Sequence, residues 1–243
     1  MTPKRPDPIA YLTGKLSGKP YPRGIGPPGL GEKFHPDGAV QIWPGNTFIC
    51  PIDQASDAFA AMLEIQEALM RSAFAPFYAF LPPPSFHMTV FQGTSPETRP
   101  GGVWPDGAAP DSSHDALTDL MLKRTDGLEV PTAFRVKALD LFGGHSMTVT
   151  GADDASEAGL RLSRDRLRQA TGLIPPEFAT YIFHITLAYP LRWQSPSLAA
   201  EVVAFSDALF DRHRARLQNI RLGPIEFCTY HSMHHFEPLN RLT

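Results

Sequence analysis

Two five-residue segments constrain this chain more than anything else in it. Phe86-His87-Met88-Thr89-Val90 and Phe183-His184-Ile185-Thr186-Leu187 share one pattern, Phe-His-apolar-Thr-apolar. Side chains alternate across a β-strand, so the apolar residues of each segment face one way and the His and Thr the other. Each segment therefore packs a core with one face and presents an imidazole and a hydroxyl about 7 Å apart on the other. A single match to the pattern is expected about 0.02 times in a chain of this composition, which makes two unlinked matches an improbable accident.

The residue types fit one kind of chemistry. Imidazole both donates and accepts a proton near neutral pH. Cleaving a phosphodiester needs a base for the attacking oxygen and an acid for the leaving oxygen. His87 and His184 on opposite sides of one phosphorus supply both. Thr89 and Thr186 are placed to hydrogen-bond the nonbridging oxygens and hold them in line. That scheme calls for no metal and no cofactor.

Around the motifs the chain reads as alternating strands and helices. Residues 1–46, rich in Pro and Gly, read as an N-terminal extension, with a hairpin expected between Lys33 and Trp43 around Asp37-Gly38. The glycines of 24–31 lack the following Lys-Ser or Lys-Thr of a Walker phosphate loop. Residues 47–243 read as the main domain. Thr47–Ile52 is expected as a strand, followed by a helix capped by Ser56 that carries Phe59, Met62, Leu63, Leu69 and Met70. Short strands follow at Phe77–Leu81 and Phe86–Phe91, separated by the stiff triple proline 82–84. After a Gly/Pro-rich loop at 93–113 come a helix near 115–124, strands at Phe134–Phe142 and His145–Thr150 around Gly143-Gly144, and a helix near 155–170 ended by Gly172. Tyr181–Tyr189 is expected as one strand, Ser197–Leu217 as a helix, and Ile220–Tyr230 and a segment near Phe236 as closing strands. The order implies an α+β fold with mostly antiparallel sheets.

At this point the sequence resembles the 2H phosphoesterase superfamily, named for two His-x-Thr/Ser motifs, which includes RNA 2′,3′-cyclic phosphodiesterases, also called 2′-5′ RNA ligases. The resemblance runs from about Thr47 to Phe236, and stretches such as Phe34–Thr47 are similar to an uncharacterised subfamily. It implies a bilobal, pseudo-twofold structure with the two motifs facing each other across a central groove. It carries the motif roles onto His87, Thr89, His184 and Thr186, and leaves the substrate open. The N-terminal extension and the long helix after the second motif depart from simpler members.

Other residues compete for functional roles. Gln92 and Tyr189 end the motif strands and are candidates to contact a base or ribose, as are Tyr230 and His231 in the last strand pattern. His231, His234 and His235 cluster, but no carboxylate stands at zinc spacing, so surface or pocket lining is the plainer reading. Asn46 in Pro44-Gly45-Asn46-Thr47 reads as a turn residue. Arg124 and Arg192 are candidates for phosphate contact, and Trp43, Trp104 and Trp193 for packing or base stacking. Cys50 and Cys228 form no metal or redox spacing and read as buried free thiols.

Composition limits the partners. With 22 basic and 25 acidic residues the formal net charge is −3, which disfavours a long nucleic acid, because phosphate neutralisation drives that affinity. No apolar run reaches membrane-spanning length and the first 22 residues lack the apolar core of a signal peptide, so a cytoplasmic location is expected. The substrate expected is a small nucleotide or RNA-end phosphoester, specifically a 2′,3′-cyclic or 2′-5′-linked one. A phosphoester-binding module with little turnover, and RNA ligation by the reverse chemistry, remain alternatives. Oligomeric state is open.

Overall fold

A computed structural model describes residues 4–29, 31–100 and 103–243. The elements in chain order are α1 (Pro8–Leu12), β1 (Gly45–Pro51), α2 (Asp57–Met70), β2 (Tyr78–Phe80), β3 (His87–Gln92), α3 (His114–Arg124), β4 (Phe134–Phe142), β5 (Ser146–Gly151), α4 (Asp154–Thr171), β6 (His184–Thr186), β7 (Ala188–Pro190), α5 (Pro196–His213), β8 (Ile220–Leu222), β9 (Glu226–Ser232) and β10 (His235–Arg241). The fold is α+β, as the element order implied. Eight of these strands form one antiparallel sheet in the order β10-β9-β1-β3-β6-β5-β4-β8, and β2 pairs with β7 in a separate ribbon.

Two similar halves make up the large sheet. In each, a strand, a helix and a motif strand follow one another: β1, α2 and β3 in the first, β5, α4 and β6 in the second. Within each half the first strand pairs antiparallel with the motif strand. The halves join where β3 meets β6, through the pair Met88↔Ile185. Both residues are fully buried, and with Val90, Leu187, Met147 and Val149 they form the core face that the motif alternation requires.

Local chemistry sets the element ends. Ser56, Ser113, Asp153 and Ser195 cap α2, α3, α4 and α5, each accepting a backbone N–H three residues on. Gly172 ends α4 in the left-handed region at φ 69°, where a Cβ is disfavoured.

Three sequence expectations need correction. Tyr181–Tyr189 is not one strand: residues 181–183 lie outside any strand, and the chain breaks at Leu187 between β6 in the main sheet and β7 in the ribbon. The Gln66 side chain holds that break, its amide donating to the backbone oxygens of Leu187 (2.9 Å) and Leu81 (2.8 Å). Ile220–Tyr230 likewise splits into β8 and β9 around Gly223-Pro224, where proline removes a ladder donor. Asn46 is no surface turn. It is buried in β1, where its amide nitrogen donates to the hydroxyls of Thr94 (2.8 Å) and Thr118 (2.9 Å) and its oxygen accepts the Thr94 N–H (2.8 Å).

The segment before β1 packs on the body of the protein. Leu12, Ile25, Phe34 and Trp43 are buried, and Phe34 bridges to both Ile25 and Val40 around the turn at Asp37-Gly38. Cys50 and Cys228 are buried free thiols. No helix among the described residues is long and apolar enough to cross a membrane.

Candidate functional site

The seam between β3 and β6 places the two motifs on one surface. Continuing the register from Met88↔Ile185 sets His87 opposite Thr186 and Thr89 opposite His184. All four lie on the face away from the core, and all four are half-buried. Directly opposed side chains in such a pair have Cβ atoms about 5 Å apart and diagonal ones about 7–8 Å. The two imidazoles are a diagonal pair, as are the two hydroxyls.

Each motif fixes its histidine by the same local device. Nδ1 of His87 lies 2.7 Å from the Ser85 carbonyl oxygen, and Nδ1 of His184 lies 2.9 Å from that of Ile182, two residues upstream in both cases. A carbonyl only accepts, so Nδ1 carries the proton and the neutral ring turns the lone pair of Nε2 outward. Among the described residues neither Nε2 has a hydrogen-bond partner. A short 3₁₀ turn lies upstream of each motif, Pro83–Ser85 and Phe178–Thr180, and the first of them contains the Ser85 carbonyl.

Burial pushes both imidazoles down to about 4, so both are neutral at pH 7. Nearby cations add to the effect: Lys33 for His87, and Arg5 and Lys33 for His184, which also feels His87. The carbonyl bonds at Nδ1 oppose the shift and do not overcome it.

The neighbouring strand extends the polar floor. Ser146 pairs with Thr186 and Thr148 with His184 across β5 and β6. In the next strand, Phe142 pairs with Ser146 and Asp140 with Thr148. Two rows thus cross the sheet, one of Phe142, Ser146, Thr186 and His87 and one of Asp140, Thr148, His184 and Thr89. The Thr148 hydroxyl and one Asp140 carboxylate oxygen are buried without a partner. Such orphans cost about 1–3 kcal/mol each in a fold selected for stability alone.

Aromatic rings wall the site. Phe236 meets the His87 ring edge-on at 4.3 Å between centroids, and Tyr230 packs behind it at 5.1 Å. Tyr181 lies 6.1 Å from the His184 ring, and its hydroxyl donates to the Thr89 carbonyl oxygen at 3.4 Å. Arg164, almost wholly buried, sits 4.0 Å over the Tyr181 ring and donates to the backbone oxygens of Val90 and Phe178.

The remaining sequence candidates divide. Tyr230 reaches the site through Phe236. Tyr189 lies in β7, beneath the Lys33 ammonium (5.3 Å from the ring centroid) and against Phe34. A β-bulge between Phe48 and Ile49 admits Val90 as an extra residue, which returns Gln92 to the face of His87 and Thr89. Gln92 is exposed there, ~10 Å along the strand beyond Thr89. His231 is exposed on β9, one residue past Tyr230 and so on the opposite face. His234 packs on Phe34, His235 is exposed, and no group of three metal-ligating side chains occurs among the described residues. Trp43 is core, Trp193 packs against Gly14, Arg124 donates to the backbone oxygens of Thr171 and Asp106, and Arg192 donates to that of Pro76.

Sequence reading missed Arg5, Lys33, Ser146, Thr148 and Tyr181. The alternation Ser146-Met147-Thr148-Val149-Thr150 signals the polar face of β5, whereas nothing local marks Arg5 or Lys33.

Comparison with known proteins gives a partial family match and a structural likeness over nearly the whole chain. Residues 33–144, just under half of the chain, match a 2H-phosphodiesterase family model described as a domain of unknown function (DUF1868). The match includes His87 and Thr89 and stops before His184. No curated protein matches. The chain is similar to a crystal structure of a conserved protein of unknown function from Agrobacterium tumefaciens strain C58, with 28% identity and a TM-score of 0.87 over 98% of this chain and 99% of that one. The first half of this chain thus resembles a 2H-phosphodiesterase-type domain, and nearly its whole length shares the architecture of the Agrobacterium protein.

Proposed function

We propose that this protein is a metal-independent phosphodiesterase that opens a 2′,3′-cyclic or 2′-5′-linked nucleotide or RNA-end phosphoester by two-histidine acid–base catalysis. The observation that carries the reading is the register at the β3–β6 seam, which gathers His87, Thr89, His184 and Thr186 on one half-buried face. A phosphate seated over that seam has an imidazole Nε2 toward each of two opposite sides and a hydroxyl toward each of its two nonbridging oxygens.

In hydrolysis of a cyclic phosphate, one neutral imidazole takes a proton from water as the water oxygen bonds to phosphorus. The other, as imidazolium, gives its proton to the ribose oxygen as the P–O bond breaks. The hydroxyls of Thr89 and Thr186 donate to the nonbridging oxygens as charge builds there. Burial holds both imidazoles neutral at pH 7, so the acid must acquire its proton with the substrate. An anionic phosphodiester favours that uptake, because a negative charge beside an imidazole stabilises its charged form.

The test is turnover of a panel of 2′,3′-cyclic mononucleotides and 2′-5′-linked dinucleotides in buffer containing EDTA, with His87→Ala assayed beside the wild type. Hydrolysis that depends on His87 and survives chelation supports the reading. Failure on every member of the panel, or loss of activity on chelation restored by zinc, overturns it.

A further inference from the structure

We propose that the segment before β1 supplies the anion-binding arm of this site, with Arg5 and Lys33 as the groups that grip the phosphate oxygens of the substrate. The inference rests on the phosphoester reading and adds to it two residues outside both motifs.

Arg5 reaches the motif face directly. Its Nη1 donates to the Ser146 hydroxyl at 2.7 Å, and the guanidinium lies 4.7 Å over the Phe142 ring. Ser146 and Phe142 stand in the same cross-strand row as Thr186 and His87. Lys33 comes from the other end of the segment. Its ammonium lies over Tyr189 and 3.5 Å from the Tyr189 hydroxyl, near enough to both motif histidines to depress them.

The anchoring is specific. Asp7 accepts the Ala10 N–H at the start of α1, Tyr11 stacks on His145 at 5.5 Å, and Leu12 is buried, which sets the chain direction just after Arg5. Phe34, fully buried, does the same for Lys33.

A purely structural role predicts something else. A cation that serves the fold has its donors taken up, by acids or, as in Arg164, by backbone carbonyls. Among the described residues neither Arg5 nor Lys33 forms an ion pair. Asp140 acts on Arg5 through space, yet a buried Asp140 oxygen has no partner. A structural pair would have closed that gap. Arg5 instead uses one nitrogen on a neutral hydroxyl and keeps the rest of a planar donor fork, a shape suited to two phosphate oxygens. Without an anion the two cations also oppose protonation of the imidazoles, so anion binding and proton uptake are coupled.

The experiment uses the full chain as wild type, Arg5→Ala, Arg5→Gln, Lys33→Ala and His87→Ala, with exposed Lys4→Ala as a charge control. Thermal melts establish that each is folded, and Arg5→Gln stands in should Arg5→Ala melt early. Three readouts are taken: affinity for inorganic phosphate by calorimetry, histidine ring titration by NMR without phosphate, and kcat/KM on 2′,3′-cyclic AMP. Loss of Arg5 is expected to weaken phosphate binding and kcat/KM by at least about tenfold each, the size of one charge-assisted hydrogen bond. It also raises the titration midpoint of His184 in the absence of any ligand. Lys33→Ala raises both His87 and His184, and Lys4→Ala changes nothing. Wild-type phosphate affinity and an unmoved His184 in a folded Arg5 variant would overturn the proposal while leaving the phosphoesterase reading intact, provided His87→Ala is inactive. A wild type that neither binds phosphate nor turns over the cyclic nucleotide removes the phosphoesterase reading and this proposal together.

Discussion

His87 stands across the β3–β6 seam from Thr186, not from His184. Each imidazole therefore has as its nearest cross-strand neighbour a hydroxyl contributed by the other half of the sheet. A phosphate bound over the seam would be held along one diagonal by hydroxyls and worked along the other by imidazoles. Neither half carries both imidazoles or both hydroxyls.

Removing either imidazole should cost kcat/KM at least about a hundredfold, the ordinary scale of one general acid–base contribution. His87→Ala and His184→Ala should be similar in severity, and the double variant should lose less than the product of the singles because the pair acts as a unit. Steady-state rates on the best cyclic substrate decide this. A folded single variant retaining more than about a tenth of wild-type activity contradicts the mechanism.

Thr89→Val and Thr186→Val keep side-chain shape and delete the hydroxyl. Each should lower kcat by about tenfold or more with a smaller effect on KM, because the lost bond strengthens as charge builds on the nonbridging oxygens. A change confined to KM would assign the hydroxyls to ground-state binding.

The pH–rate profiles of free and bound enzyme should differ. Burial pushes both imidazoles down to about 4, so the state with one proton between them becomes rare as pH rises above that value. A bound phosphodiester should raise both groups and so move the useful window upward. The kcat profile should therefore peak at higher pH than the kcat/KM profile. Coincident profiles with an optimum near 7 for both would show that the free imidazoles are not depressed.

Stability should fall with acid over a defined window. His87 and His184 are held down to about 4 and buried His145 to about 3, all chiefly by burial. Unfolded histidines protonate near about 6.5. Below that pH the unfolded chain takes up protons that the folded chain refuses, so stability is full above about 6.5 and declines toward about 4, flattening once the folded rings also protonate. Melting temperatures measured from pH 7.5 to 4 should drop through this interval. A flat profile would refute the depressed values.

Asn46→Ala should destabilise the fold by about 2–4 kcal/mol, since it strands buried groups on Thr94 and Thr118 that the amide now satisfies. Gly93→Ala should also be harmful, because a Cβ there would run into the Asn46 side chain and backbone. Urea denaturation measures both, and an Asn46→Ala loss below about 1 kcal/mol would mean that water replaces the amide.

The site was legible where chemistry repeats at period two. Phe86–Val90 and Phe183–Leu187 announce both their faces, and Ser56, Asp153 and Gly172 announce helix ends by residue type. What stayed hidden depends on long-range pairing. The alternation of 181–189 continues through Leu187, yet the strand changes sheets there because Gln66, more than a hundred residues earlier, holds the carbonyl at the break. Arg5 and Lys33 lie in a Pro/Gly-rich stretch with no periodicity, and the chain beside each is anchored where Leu12 and Phe34 enter the core. Asn46 follows Pro44-Gly45, a turn-like setting whose burial comes from the loop carrying Thr94.

Because one rung, Met88 against Ile185, defines the meeting of the two halves, the relative placement of the motifs is quantised. A strand cannot slide by a fraction of a residue and keep its ladder, and a slip of one residue turns every side chain to the other face. Rotamer adjustments or loop substitutions elsewhere leave that setting untouched. Inserting or deleting a residue within His87–Thr89 or His184–Thr186 would change it in a single step and exchange histidine for core methionine or isoleucine on the working surface. The geometry of the pair is in this sense counted in residues and not tuned in ångströms.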